Sequence, residues 1–319
     1  MNIEQPILVA IHCLVYNHEP YLRDCLEGFV MQKTNFRFVA IVHDDCSTDG
    51  SAAIIKEYAK KYPDIITPII ETENQWSKHD GSLTHIMNEA ITATGAKYIA
   101  FCEGDDYWTD PHKLQKQVDY MESHPECSLC FHGVKILDET THKLEPDFLE
   151  DVPYSDSGVK LARGNYIHTV SVLIRSNIGV LDFFQKLGRL SMGDQIIYHI
   201  CAQSGTMVKI PDIMAVYRIG SGLWSNSNDA YRYLMSVISL SKTIPLLTND
   251  EVRLALDETI FKYADVVLNI VAEKDKEIEK YHRSFSYRIK NKLKRIAKKV
   301  KKYLKKIFRR KDTNRPTSY

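Results

Sequence analysis

Residues Glu103-Gly104-Asp105-Asp106 place three carboxylates within four positions. Such a cluster repels itself unless a cation sits in it. An oxygen-only donor set suits a hard divalent ion, Mg2+ or Mn2+, which keeps coordination positions for phosphate oxygens. The plainer alternative is a solvated acidic turn that caps the helix after it. A second cluster, Cys127-x-x-Cys130, has no partner pair at zinc-site spacing and reads as strand filling beside Phe131.

The elements around the acidic turn place it. Tyr98-Ile99-Ala100-Phe101-Cys102 is an apolar run too short for a helix and reads as a buried strand that ends at the turn. Pro111 sits where a helix tolerates proline, and Lys113 to Met121 carries helical spacing. Carboxylates at the carboxyl end of a central strand lie where open α/β sheets bind ligands.

Upstream, Ile7 to Leu14 reads as a strand covered on both faces, and Tyr21, Leu22, Cys25, Leu26, Phe29 and Val30 form a helical stripe. Phe36 to Val42 is a second strand ending at His43-Asp44-Asp45, with Ser47 or Thr48 expected to cap a helix running to about Lys61. Ile65 to Ile70 and a helix over Ser82 to Thr94 lead into the central strand. This alternation predicts an α/β fold with a Rossmann-like sheet flanked by helices.

The second half is less regular. Strands are expected over Ser128 to Leu137, Val170 to Arg175 and Thr206 to Ile210, with a long acidic loop between the first two. Helices are expected over Ile178 to Leu187, from Met192 to Ala202, and over Ala230 to Leu247 and Glu251 to Ala272. The expected organisation is a domain over 1–225, a helical elaboration over 226–275 and a tail over 276–319.

The composition, 44% hydrophobic and 26% charged over 319 residues, is that of an ordinary globular protein. Its near-neutral total hides an asymmetry. Residues 286–311 carry 14 Lys and Arg and no acid, while residues 1–285 hold 27 basic against 40 acidic residues, a net of −13. The seven cysteines are odd in number and mostly in apolar runs, which suits free thiols in a reducing cytoplasm. No signal-type segment and no run of about 18 apolar residues is present, so neither secretion nor a membrane span is expected.

Five motifs in order now carry a resemblance: VAIHCLVYNHEPYLRDCLEGFVMQ, VAIVHDDCSTDGS, YIAFCEGDDYW, MGDQ and VYRIGSG. Over about residues 5–225 the chain resembles bacterial family 2 glycosyltransferases of the GT-A fold. The resemblance implies inverting transfer of a sugar from a nucleotide-diphosphate donor, a UDP-sugar by family expectation, to an acceptor hydroxyl. It implies that Asp105 and Asp106 contact the metal and the ribose, with Glu103 standing where relatives carry the first Asp of a DxD element. Asp44 and Asp45 match the donor-base site, and Tyr16 is placed to stack on the base. Asp194 matches the general base, although Asp ahead of a helix is also a common N-cap. Arg218 is a diphosphate candidate. Gly220 stands where many relatives carry a histidine, which departs from a histidine metal ligand. The glycines after Arg218, with Trp224, suggest a lid.

The tail spaces Ile289, Leu293, Ile296, Val300, Leu304 and Ile307 three to four residues apart among basic residues. A basic amphipathic helix of this kind fits a peripheral anchor on an anionic membrane surface, here the cytoplasmic face. The acidic body and the few tail aromatics argue against nucleic acid. The expected acceptor is a surface glycan or lipid-linked precursor. Two rivals are a nucleotidyltransferase, which would favour a Gly-rich basic loop that LVYNHEP lacks, and a catalytically inactive binding protein.

Overall fold

The computed structural model describes residues 5–147, 149, 152, 154–178, 193–220, 227–281 and 294–303. The first apolar run forms β1 (Ile7–Val15), and the chain then turns into α1 (Leu22–Val30), which buries Leu22, Cys25, Leu26 and Phe29. β2 (Arg37–Asp44), α2 (Ser51–Lys61), β3 (Ile66–Ile70), α3 (Ser82–Ala93) and β4 (Tyr98–Phe101) complete the expected alternation. After α3, Gly95 takes a left-handed φ of +65°, as a helix-ending glycine does. Val9, Ile11 and Val15 of β1 are buried on one face of the sheet and Ala10 on the other, and each Val or Ile burial contributes roughly 1.5–3 kcal/mol.

The chain continues through β5 (Tyr107–Trp108), α4 (Lys113–Ser123), β6 (Cys127–Asp138), β7 (Lys143–Asp147), β8 (Ser155–Asp156), α5 (Val159–Arg163) and β9 (Leu173–Arg175). α6 (Gly193–Ser204), β10 (Thr206–Ile219), α7 (Asp229–Thr243) and α8 (Asp250–Tyr281) follow. One ten-stranded sheet runs β3-β2-β1-β4-β9-β6-β10-β5, with β7 paired to β6 and β8 to β10. β3, β2, β1 and β4 are parallel. β9 is antiparallel to both β4 and β6, so the sheet is mixed. Two apolar clusters cover its two faces, and a third joins α7 and α8 to Ala162 of α5.

Several expectations change. The acidic loop after β6 returns as β7, antiparallel to β6. The strand expected to end at Ile210 continues to Ile219, pairing with β6 almost to its end. Val170 lies in a 3-10 turn ahead of β9. Gly50, not Ser47 or Thr48, precedes α2, and Asp49 Oδ1 accepts the Ser51 N–H at 2.9 Å. Of the helix expected over Ile178 to Leu187, all but Ile178 lies outside the described residues, as do Trp224 and much of the basic tail. Residues 294–303 of that tail are helical, with Ile296 and Tyr303 exposed. Among the described residues, no helix is long and apolar enough to cross a membrane.

Candidate active site

The loops after β1 and β2 are laced together. Asn17, in the left-handed region at φ 56°, donates its N–H to Ser47 Oγ, and its Oδ1 accepts the Thr48 N–H at 2.8 Å. His18 N–H reaches Ser51 Oγ, and Glu19 Oε2 accepts the Gly50 N–H at 2.7 Å. This lacing fixes Tyr16, which is exposed, beside the end of β2.

The two aspartates there differ. Asp45 uses both oxygens on the loop after β3, accepting the N–H groups of Gln75 at 2.6 Å and Trp76 at 3.1 Å. Asp44 accepts the Ser47 N–H through Oδ2, while its buried Oδ1 finds no partner among the described residues. A buried carboxylate oxygen without a donor is costly unless a ligand supplies one.

The acidic turn leaves β4 between β1 and β10. Gly104 is required there by close approach, since a Cβ would lie 2.8 Å from His18 Nδ1 and 2.9 Å from Val15 Cγ2. Asp106 turns inward: it is 2% exposed, and its Oδ1 accepts the Arg218 backbone N–H at 2.7 Å. Desolvation, then the Asp105 charge, push the Asp106 carboxyl well above its usual range. Glu103 opens to solvent within the cleft. Partial enclosure at the turn, then the Asp105 and Asp194 charges, push its carboxyl up to about 8.

Arg218, expected on a diphosphate, is placed differently. Its guanidinium donates to Asp24 Oδ2 at 2.6 Å, to Glu139 Oε1 at 2.8 Å and to the Asp105 carbonyl at 2.7 Å, between the rings of Tyr21 and Tyr107. Its contacts are those of a brace under the turn. Asp106, expected on the metal, likewise commits one oxygen to this brace. Gly220, at φ +86°, occupies the left-handed region, where a histidine would be strained.

Asp194 arrives from the far half of the chain. α6 begins at Gly193, so Asp194 lies in its first turn, where a carboxylate is favoured by the helix dipole. Burial raises its pKa, while the N–H groups of Gln195 and of Asp194 itself pull it back. Its charge acts on Glu103, and the Tyr217 phenol, raised first by desolvation, feels Asp106, Glu103, Asp194 and Asp105 together. Asp194 therefore lies within electrostatic reach of the acidic turn. The sequence reading passed over Tyr217 and His168, whose rings pack 4.9 Å apart at the cleft wall.

Among the described residues, no group of three His, Cys, Asp or Glu side chains is arranged to hold a metal ion alone. Glu103, exposed on the turn, and Asp105, buried beside it, are carboxylates of the kind that fit a hard divalent ion whose remaining ligands are phosphate and water, the usual arrangement for Mg2+.

A sequence model described as Glycosyl transferase family 2 matches residues 11–177. The uncharacterized protein Rv1520 of Mycobacterium tuberculosis is 36% identical over 222 residues, 69% of this chain and 61% of that protein. The chain thus spans about three fifths of the length of this relative. The amylovoran biosynthesis glycosyltransferase AmsE of Erwinia amylovora is 25% identical over 252 residues, 77% of this chain and 86% of its own. S. aureus TarS 1-349, solved with UDP-GlcNAc, superposes at a TM-score of 0.55 and 16% identity, covering 80% of this chain and 72% of its own. The mannosyltransferase PcManGT of Pyrobaculum calidifontis, solved with GDP-Man and Mn2+, gives 0.53 at 14% identity, covering 93% and 87%. The structural likenesses establish the fold as that of these transferases.

Proposed function

The chain belongs to glycosyl transferase family 2, and from that premise we propose that it moves a glycosyl group from a nucleotide-diphosphate sugar to an acceptor hydroxyl, with inversion. The observation that carries this reading is a convergence: Asp194, about ninety residues away in sequence, acts on Glu103 in a turn suited to a diphosphate.

Tyr16 stacks on the nucleobase, and Asp44 Oδ1 accepts a base N–H, uracil N3–H if the donor is a UDP-sugar. Asp105 and Glu103 face the diphosphate and the ribose. A divalent ion, Mn2+ or Mg2+, held there with the donor phosphates would supply Lewis-acid relief of the leaving group's charge. Asp106 and Arg218 hold the turn in place. On the opposite side Asp194 accepts the proton of the attacking hydroxyl, and its raised pKa brings it nearer to working pH, where a general base is most effective. AmsE, whose name states a part in amylovoran biosynthesis, supports assembly of a bacterial polysaccharide, with a growing glycan or a lipid-linked precursor as acceptor. The basic segment 286–311 would hold the enzyme on the anionic cytoplasmic face of the membrane.

Asp194→Asn tests the assignment. It keeps the shape but removes the ability to accept a proton. Transfer should fall by about 10² or more while UDP affinity stays within a few-fold. An equal fall in both would make Asp194 a structural residue, and retained transfer would place the base elsewhere.

A further inference from the structure

β10 sends two adjacent side chains to opposite sides of the sheet at the edge of the cleft. Arg218 leaves toward α1 and the backbone of Asp105. Tyr217 leaves on the other side, where its ring meets His168 at 4.9 Å and 40°. His168 is itself fixed by Asp147, Nε2 to Oδ2 at 3.0 Å. The amide between Tyr217 and Arg218 donates to Asp106 Oδ1 at 2.7 Å, which pins the Tyr217 backbone to the acidic turn. A half-buried phenol is thus held rigidly between the turn and Asp194. Its O–H stands amid four carboxylates, yet among the described residues the hydroxyl makes no hydrogen bond. A side chain seated against a fixed ring, on a backbone pinned to the turn, and carrying an unused donor is suited to a ligand.

What lies in that interval follows from the reaction. In-line displacement puts the leaving oxygen and the attacking oxygen on opposite sides of the anomeric carbon. With the diphosphate at Glu103 and Asp105 and the acceptor at Asp194, the ring being transferred occupies the space between. Tyr217 borders that space with a flat apolar ring and one hydroxyl, and sugars present both C–H faces and hydroxyls. We propose that Tyr217 contacts the transferred sugar itself, its hydroxyl bonding a sugar hydroxyl, and so helps to set which sugar is accepted. This assignment rests on the glycosyl-transfer reading above. A site built to bond one hydroxyl discriminates strongly against donors that lack it, because the buried group is then left unpaired.

Calorimetric titration with Mn2+ present tests it, using UDP, GDP, UDP-GlcNAc, UDP-glucose, UDP-galactose and GDP-mannose. Failure of both free nucleotides to bind the parent would reject the transfer reading itself. With nucleotide binding present, Tyr217→Phe, which retains the ring and the His168 contact, should keep the free nucleotide within two-fold. It should weaken the preferred nucleotide sugar by about 3- to 10-fold, the range of one net hydrogen bond. One deoxy-sugar analogue of that donor should lose the same factor on the parent and nothing further on the variant. Equal losses for free nucleotide and nucleotide sugar would make Tyr217 a structural residue. Unchanged binding of every probe, or a deoxy penalty that persists in full on the variant, would also overturn the assignment.

Discussion

Replacing Arg218 by alanine decides whether its guanidinium braces the acidic turn or grips a donor phosphate. The Arg218 side chain is 5% exposed, whereas those of Asp24 and Glu139 are 56% and 23% exposed. The bond to Asp24 is therefore screened and contributes about 0.5 kcal/mol. The bond to Glu139 contributes about 1 kcal/mol, and the buried, charge-assisted bond to the Asp105 carbonyl roughly 1.5 kcal/mol. Packing between Tyr21 and Tyr107 adds about 1 kcal/mol. Ordering so long a side chain costs about 1 kcal/mol in return. The net loss expected for R218A is roughly 3 kcal/mol, large for a single substitution.

Urea denaturation followed by tryptophan fluorescence reads this directly, as a lower midpoint with an unchanged slope. R218K should recover less than half of the loss, because an ammonium lacks the fork that serves three acceptors at once. A phosphate-binding arginine would behave oppositely, since removing it relieves the free protein of an uncompensated charge. An R218A protein within about 1 kcal/mol of the parent, with UDP affinity reduced tenfold or more, would refute the brace.

Two further outcomes are expected. Glu103, pushed up to about 8, and the raised Asp106 and Asp194 give the folded state more bound protons than the unfolded one from about pH 4 upward. The stability these three groups contribute is therefore full below the ordinary carboxylate range and is lost as pH rises through their raised values; above the range of the lowered carboxylates, melting temperatures should drop, and Glu103→Gln should flatten the drop, an unchanged slope counting against the shift. Removing residues 286–319 should release the protein from vesicles of anionic lipid at moderate salt while leaving slow nucleotide-sugar hydrolysis intact; undiminished co-sedimentation would place the anchor elsewhere.

Much of the fold was legible because β1, β2 and β4 are buried on both faces and so appear as unbroken apolar runs. The helices between them carry apolar stripes at helical spacing. β7 was not legible for the converse reason. Lys143-Leu144-Glu145-Pro146-Asp147 lies at a sheet margin and is mostly exposed, so nothing in its pattern separates it from a loop. β5 is two residues long, too short for any periodicity, and is held by pairing with β10 and by Gly28 of α1, where a Cβ would approach the Trp108 backbone to 2.9 Å. The α2 cap was misread because Ser47 and Thr48 are occupied by Asn17, thirty residues earlier, a contact that no local pattern reveals.

The residues of the site divide along the same line. Residue type and position at a strand end drew attention to Asp44, Asp45, Glu103 and Asp105, whereas Asp194, in the first turn of a helix, was singled out by the family resemblance. Which way each points was not readable, since direction depends on what packs behind it. Asp106 and Arg218 are as charged as their neighbours, yet Asp106 is taken up by the Arg218 backbone N–H and the guanidinium by the Asp105 carbonyl, Asp24 and Glu139. One local signal bears on this. The alternation of the strand from Thr206 to Ile219 puts residues 217 and 218 on opposite sides of the sheet. A charged side chain braced beneath the turn then implies a partly buried aromatic one on the opposite side. The arginine in this motif is conspicuous by its charge, but it is the tyrosine before it that stands where a sugar would pass.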